Sequence, residues 1–355
     1  MGWKHWLISC TLIERSNMKT RWVLISIPLL FFAAVLAATI GSAHIAVGEA
    51  FQSLAGKLVG AEEILPKTQA MILYGIRWPR VLLSLIAGAA LATAGLALQG
   101  LFRNPLADPY IIGISSGSAF GAAVAIATGI GSSLLGNFTV TASAFLGALG
   151  ALAFVYQLGR EGKVLRQSRV LLAGISVGQL FAAGLSLMMV FYSKQMDKIV
   201  YWTMGSVAGN SMEVVLFCLG IVGLGYAIFH HYRMEMNLLL LGEDTAKSMG
   251  VNTESVKRIL LLTASLVTAS VVSFTGIIGF VGLIIPHIIR LLTGPDHRTL
   301  LPLTAIWGAI FLCFCDTLAR TLASPLEIPI GIVTAIIGAP FFLWLLSRRE
   351  GGEVV

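Results

Sequence analysis

Apolar runs long enough to cross a lipid bilayer recur along this chain from residue 22 almost to its end. A run of about 18 residues with few charges matches a hydrocarbon core of roughly 30 Å. Ten such runs are legible, at approximately 22–47, 81–101, 110–130, 138–158, 170–192, 214–230, 259–274, 277–292, 300–319 and 328–346. Backbone N–H and C=O groups in hydrocarbon need partners within the chain, so each run predicts a helix. Composition agrees. The chain is 57% hydrophobic and 12% charged, against about 45–50% and about 25% in soluble domains. The expected fold class is all-α, a polytopic membrane protein with about ten transmembrane helices per subunit. Gly276, Gly279, Gly282 and Pro286 break the stretch holding the seventh and eighth runs, and the eighth is short.

An even number of spans places both termini on one side. Lys57, Lys67, Arg77, Arg80, Lys194, Lys198 and Arg320 fall on the opposite side, leaving 17 of the 24 basic residues with the termini. The positive-inside rule then puts both termini in the cytoplasm. In a soluble protein the net charge of +7 would suggest nucleic acid. Here it suits cytoplasmic loops facing anionic lipid, and no nucleic acid partner is expected. Residues 1–21 form a cytoplasmic N-terminal extension, with Met1 and Met18 both candidate starts, and 350–355 a cytoplasmic tail. Cys10, Cys218, Cys313 and Cys315 form no CxxC pair and read as small buried hydrophobes.

The spans are poor in charge, which argues against an ion-coupled secondary transporter. Asp316 sits well inside a span, four residues before Arg320 on one helical face, where the two can pair. His287 follows Pro286 and reads as a packing or helix-bend residue. No P-loop run occurs, so any ATP that drives transport is hydrolysed by a partner. No catalytic cluster, metal site or cofactor motif is present, and no cofactor is expected.

Gln99-Gly-Leu-Phe-Arg-Asn-Pro-Leu-Ala-Asp-Pro-Tyr110 reads as a tight turn between two spans. Gly113, Gly117, Gly121 and Ala125 follow at four-residue steps. Such a stripe lets another helix backbone approach closely, a main source of association in lipid. The longest cytoplasmic loop, 230–258, holds Leu241-Gly-Glu-Asp-Thr-Ala-Lys247. Glu243 and Asp244 suit the start of a short helix, and Gly250 suits its stop. On the outer side, Arg77 and Arg80 begin the second span and Arg320 ends the ninth, where they read as interfacial anchors.

Several ordered motifs resemble one family. They include Arg77-Trp-Pro-Arg80, the turn from Gln99 to Tyr110, Tyr201-Trp-Thr-Met-Gly205, Leu241-Gly-Glu243, Gly279-Phe-Val-Gly282 with Pro286-His287, and Glu327-Ile-Pro-Ile-Gly331. Together they resemble the FecCD-type permeases, the membrane subunits of ATP-driven importers for iron chelates, haem and cobalamin. The resemblance implies a cobalamin-permease-like type II ABC importer fold over residues 22–349, working as a homodimer. It implies two ATP-binding-cassette ATPase subunits docked on a coupling loop at Leu241, Gly242, Glu243, Asp244, Ala246 and Gly250. It further implies an extracytoplasmic solute-binding protein docked at Arg77, Arg80 and Arg320, and a cytoplasmic gate at Gln167 and Ser168 with Arg166. A related, shorter family that takes up free metal ions is the nearest alternative.

Overall fold

Ten helices stand where the ten apolar runs lie in the computed structural model, which describes residues 22–41, 45–58, 65–130, 136, 138–162 and 164–348. The N-terminal extension with Cys10, Lys163 and the tail lie outside the described residues. The spanning helices are α1 (Trp22–Thr39), α3 (Lys67–Phe102), α4 (Ile114–Thr128), α5 (Phe138–Gly159), α6 (Gln167–Phe191) and α8 (Met212–His231). They continue as α11 (Thr253–Thr275), α12 (Val281–Thr293), α13 (His297–Thr321) and α14 (Ile330–Arg348). Seven are long and apolar enough to cross a membrane alone, while α4, α12 and α14 are shorter apolar helices. Between them lie the short helices α2 (Val47–Leu58), α7 (Met196–Thr203), α9 (Arg233–Leu240) and α10 (Glu243–Ser248). A two-stranded hairpin joins α5 to α6, pairing β1 (Arg160–Glu161) with β2 (Val164–Leu165).

The two largest boundary differences from the sequence reading lie in the first two spans. The first helix stops at Thr39 rather than near residue 47, and the chain forms α2 separately. The second span begins at Lys67 rather than residue 81, so Arg77 and Arg80 lie inside a continuous helix instead of opening it. Pro79 lacks an N–H and its ring crowds the preceding turn. The helix absorbs this by widening to a π turn over Ile72–Arg77.

Core and periphery are distinct. In its most apolar stretch α3 is 78% buried and α11 72%, whereas α6 is only 28% buried. Helices α11, α12 and α13 pack against α3, drawn close where glycines face each other. A Cβ on Gly88 would lie 2.1 Å from the Gly308 carbonyl oxygen, and one on Gly95 would lie 2.2 Å from that of Gly282. The α4–α5 crossing is built the same way. A Cβ on Gly117 would meet Gly147 O at 2.5 Å, and one on Gly121 would meet Ser143 O at 2.1 Å. Gly113 does not continue that contact. It takes a left-handed φ of 79° ahead of α4, and its neighbours are Gly174 and Gly178 of α6.

The break between α11 and α12 lies at residues 276–280, beside the loops at Gly205 and Gly331. Ser206 N donates to Thr275 O at 2.7 Å, while Ile330 N and Gly331 N donate to Gly205 O and Met204 O, both at 3.1 Å. Irregular backbone at membrane depth is tolerated only where it is buried in protein or lines a water-filled cavity. Three of the sequence motifs, around Gly205, Gly276 and Gly331, therefore meet in one place.

Candidate functional site

At one end of the bundle the short helix α10 lies beside the start of α11, the end of α3 and the hairpin. Its capping is local. Glu243 and Asp244 occupy its first turn, where negative charge meets the positive end of the helix dipole. Gly250, at φ 88°, ends it. Val251 N then donates to Ala246 O at 3.0 Å and Gly250 N to Lys247 O at 2.9 Å, the paired bonds of a Schellman stop. Ala246 is fully buried and holds the helix down. Leu241, Asp244, Lys247, Met249 and Gly250 are exposed on its far side. Leu241 is 65% exposed and Met249 59%, an apolar pair rimmed by charge.

Glu243 does not share that exposed face. Its carboxylate turns inward to Lys257 Nζ at 3.0 Å and to the Gln167 amide at 3.2 Å. Lys257 is 1% exposed. Its ammonium also donates to Glu254 Oε1 at 2.6 Å and to Leu165 O at 3.1 Å, so three donors meet three acceptors. Glu254 completes the circuit by accepting the Leu165 N–H at 2.7 Å. Both polar groups of the Leu165 peptide are thus held by α11. Gln167, the first residue of α6, donates to Leu101 O at 2.7 Å and so satisfies a carbonyl in the last turn of α3. Ser168, next to it, is exposed.

Burying an ammonium costs several kcal/mol unless it is fully paired, as this one is. Removing Lys257 leaves two carboxylates that retain 20–24% exposure and can take up water. The expected stability cost is therefore about 2–3 kcal/mol, below that of stranding a fully buried charge. Sequence reasoning counted Lys257 among loop charges and did not single out Glu254. The available signal was their i, i+3 spacing behind Asn252, whose side chain caps α11 by accepting from Ser255 N at 3.2 Å.

At the other end of α3, the three arginines are buried and partnered inside the protein. Arg77 donates to Ala38 O at 3.1 Å and Thr39 O at 2.9 Å. Arg320 donates to Ala37 O and to the Thr317 hydroxyl. Together they cover the last carbonyls of α1, where positive charge also suits the helix dipole. Arg80 contacts the Asp316 carboxylate at 3.0 Å and Glu327 at 2.8 Å. The pair foreseen within one helix, Asp316 with Arg320, is longer at 3.8 Å. Asp316 is thus held chiefly across the helix interface by Arg80. Of this group Glu327 reaches solvent, with half its side chain exposed.

His287 is buried near the rings of Phe341 and Phe342 of α14, with centroids at 6.4 and 6.3 Å. Among the described residues, no cluster of three or more His, Cys, Asp or Glu could hold a metal ion.

Comparison with known proteins decides the family. The profile of the FecCD transport family matches residues 29–348. The chain belongs to the FecCD transport family. It is 46% identical over 286 residues to the cobalamin import system permease protein BtuC of Halobacterium salinarum, covering 81% of this chain and 76% of that protein. It is 39% identical to the hemin transport system permease protein HmuU of Yersinia pestis over 277 residues, 78% of this chain and 83% of the relative. Among solved structures, a metal-chelate type ABC transporter in an inward-facing conformation superposes with a TM-score of 0.81 at 35% identity, covering 93% of this chain and 99% of that one. This family member is therefore a multi-pass membrane permease of the ABC transporter class, a role in which ATP hydrolysis belongs to separate subunits.

Proposed function

We propose that this permease carries an iron chelate, such as a siderophore or haem, or cobalamin across the cytoplasmic membrane as part of an ATP-driven importer. In this reading two copies form the path, two ATPase subunits dock on the α10 end, and a solute-binding protein delivers cargo at the arginine end. In this reading the cytoplasm lies on the α10 side, where the charge bias of the sequence also puts both termini. The observation that carries the reading is α10 itself. It presents Leu241, Asp244 and Met249 outward while Glu243 bonds inward to Gln167, the proposed gate residue. Exposed apolar side chains rimmed by charge at a polar end mark a protein-docking face. The pairing of Asp316 with Arg80 also supports it, because that carboxylate is occupied by a structural partner rather than set in an ion path.

The arginines contribute to docking of the binding protein by shaping that surface, and the Arg80–Glu327 pair is the portion that reaches it. The test is uptake of iron(III)–siderophore, haemin and cobalamin, each in turn, by vesicles holding permease, ATPase and binding protein. At least one should be taken up only with hydrolysable ATP. Uptake driven by a proton gradient in vesicles lacking the ATPase would sink the importer reading.

A further inference from the structure

The hub beneath α10 joins four parts of the chain that no local sequence relation connects: the end of α3, the hairpin with the start of α6, α10, and the start of α11. We infer that Lys257 is a transmission pin, a positioning residue that makes α10 and the gate segment at Gln167 and Ser168 move as one body when the ATPase moves α10. The inference rests on the proposed docking of an ATPase at α10.

Three observations support it. Lys257 is 1% exposed, and each of its three donors has an acceptor on a different segment: Glu243 on α10, Glu254 on α11 and the Leu165 carbonyl on the hairpin. The Leu165 N–H is held by Glu254 as well, so the hairpin cannot shift against α11 without breaking two charge-assisted bonds. Gln167 then bridges Glu243 and Leu101 O, placing the first residue of α6 under the control of both α10 and α3. Lys257 itself is shielded from water, so its charge-assisted bonds are costly to break when no other partner is at hand. A displacement of α10 therefore carries the hairpin and the α6 start with it. Asp244, one residue from Glu243, has no part in the pin, because its side chain is fully exposed and lies 3.9 Å from Lys247.

The test uses the permease–ATPase complex in nanodiscs, with native cysteines removed and Ser168→Cys as the reporter. The probe is a membrane-impermeant maleimide, and labelling rate is compared with and without ATP and vanadate. In the parent complex ATP should change the rate by about fivefold or more. In Lys257→Met the change should fall below about twofold, while the ATPase still co-purifies and hydrolyses ATP at a similar rate per complex. Lys257→Arg should restore much of the response. If Lys257→Met fails to accumulate, Glu254→Ala, which keeps the lysine and removes the acceptor of the Leu165 N–H, should weaken the response in the same direction. An undiminished response in Lys257→Met, or in Glu254→Ala where that variant is used, overturns the pin while leaving ATPase docking intact. A parent that retains no ATPase overturns the docking reading and the pin with it.

Discussion

Asp108 Oδ1 accepts the Tyr110 N–H at 2.9 Å, and Asp296 Oδ1 accepts the Arg298 N–H at 3.1 Å. Each caps the turn that leads into a spanning helix, and each lies next to a proline, Pro109 or Pro295. Their surroundings push them in opposite directions. Burial pushes the Asp108 carboxyl up to about 7, against the hydrogen bond from Tyr110. Burial opposes ionisation of Asp296 too, but hydrogen bonds from Arg298 and Asn237 and the guanidinium charge hold it below the usual carboxylate range. An unfolded aspartate titrates at about 3.9. Asp108 therefore withdraws stability as pH rises from about 4 to about 7, whereas Asp296 adds stability above about 4 that is lost as pH falls further. Asparagine preserves both caps. Melting of the permease in detergent should show that Asp108→Asn removes a fall in stability between about pH 4 and about pH 7. Asp296→Asn should leave that range unchanged and blunt the loss below pH 4. An identical pH profile in Asp108→Asn and the parent would refute the first expectation.

Helix pairs in this protein are set by where backbones touch. A Cβ on Gly117 would lie 2.5 Å from the backbone of Gly147, whereas Gly150, on the same helix as Gly147, faces open space. Gly117→Leu should therefore destabilise the fold by about 1–3 kcal/mol or more, and Gly150→Leu should be close to neutral. Relative melting temperatures and the yield of monodisperse protein in detergent check this. The stripe itself was legible because four-residue spacing repeats on a helix face. The displaced role of Gly113 was not, since it depends on the 3-10 turn over Pro109–Ile112 that precedes α4. The start of α3 at Lys67 was hidden for a related reason. Arg77 and Arg80 looked like the edge of an apolar run, and only their partners on α1 and α13 explain how a helix carries them inside.

Across the whole molecule, the ten-helix plan followed from hydropathy, and the family motifs followed from their order. The hubs were less legible, because each joins residues far apart in sequence. The |i−j| separation of Arg80 from Asp316 is 236, and that of Lys257 from Leu165 is 92. Arg80→Gln should cost about 3–5 kcal/mol by stranding the buried Asp316 carboxylate. Combining it with Asp316→Asn should recover much of the loss, a coupling that a double-mutant cycle on detergent melting would measure. Additive single effects would place Asp316 under the control of Arg320 instead. The same end of the bundle also bears on the order in which the protein is made. Helix α1 leaves the ribosome before the arginines that cover its last carbonyls. One of these carbonyls waits for Arg320, 283 residues downstream. The full set of contacts at that helix end, to which Arg77 contributes early and Arg320 late, can therefore close only after α13 has been synthesised.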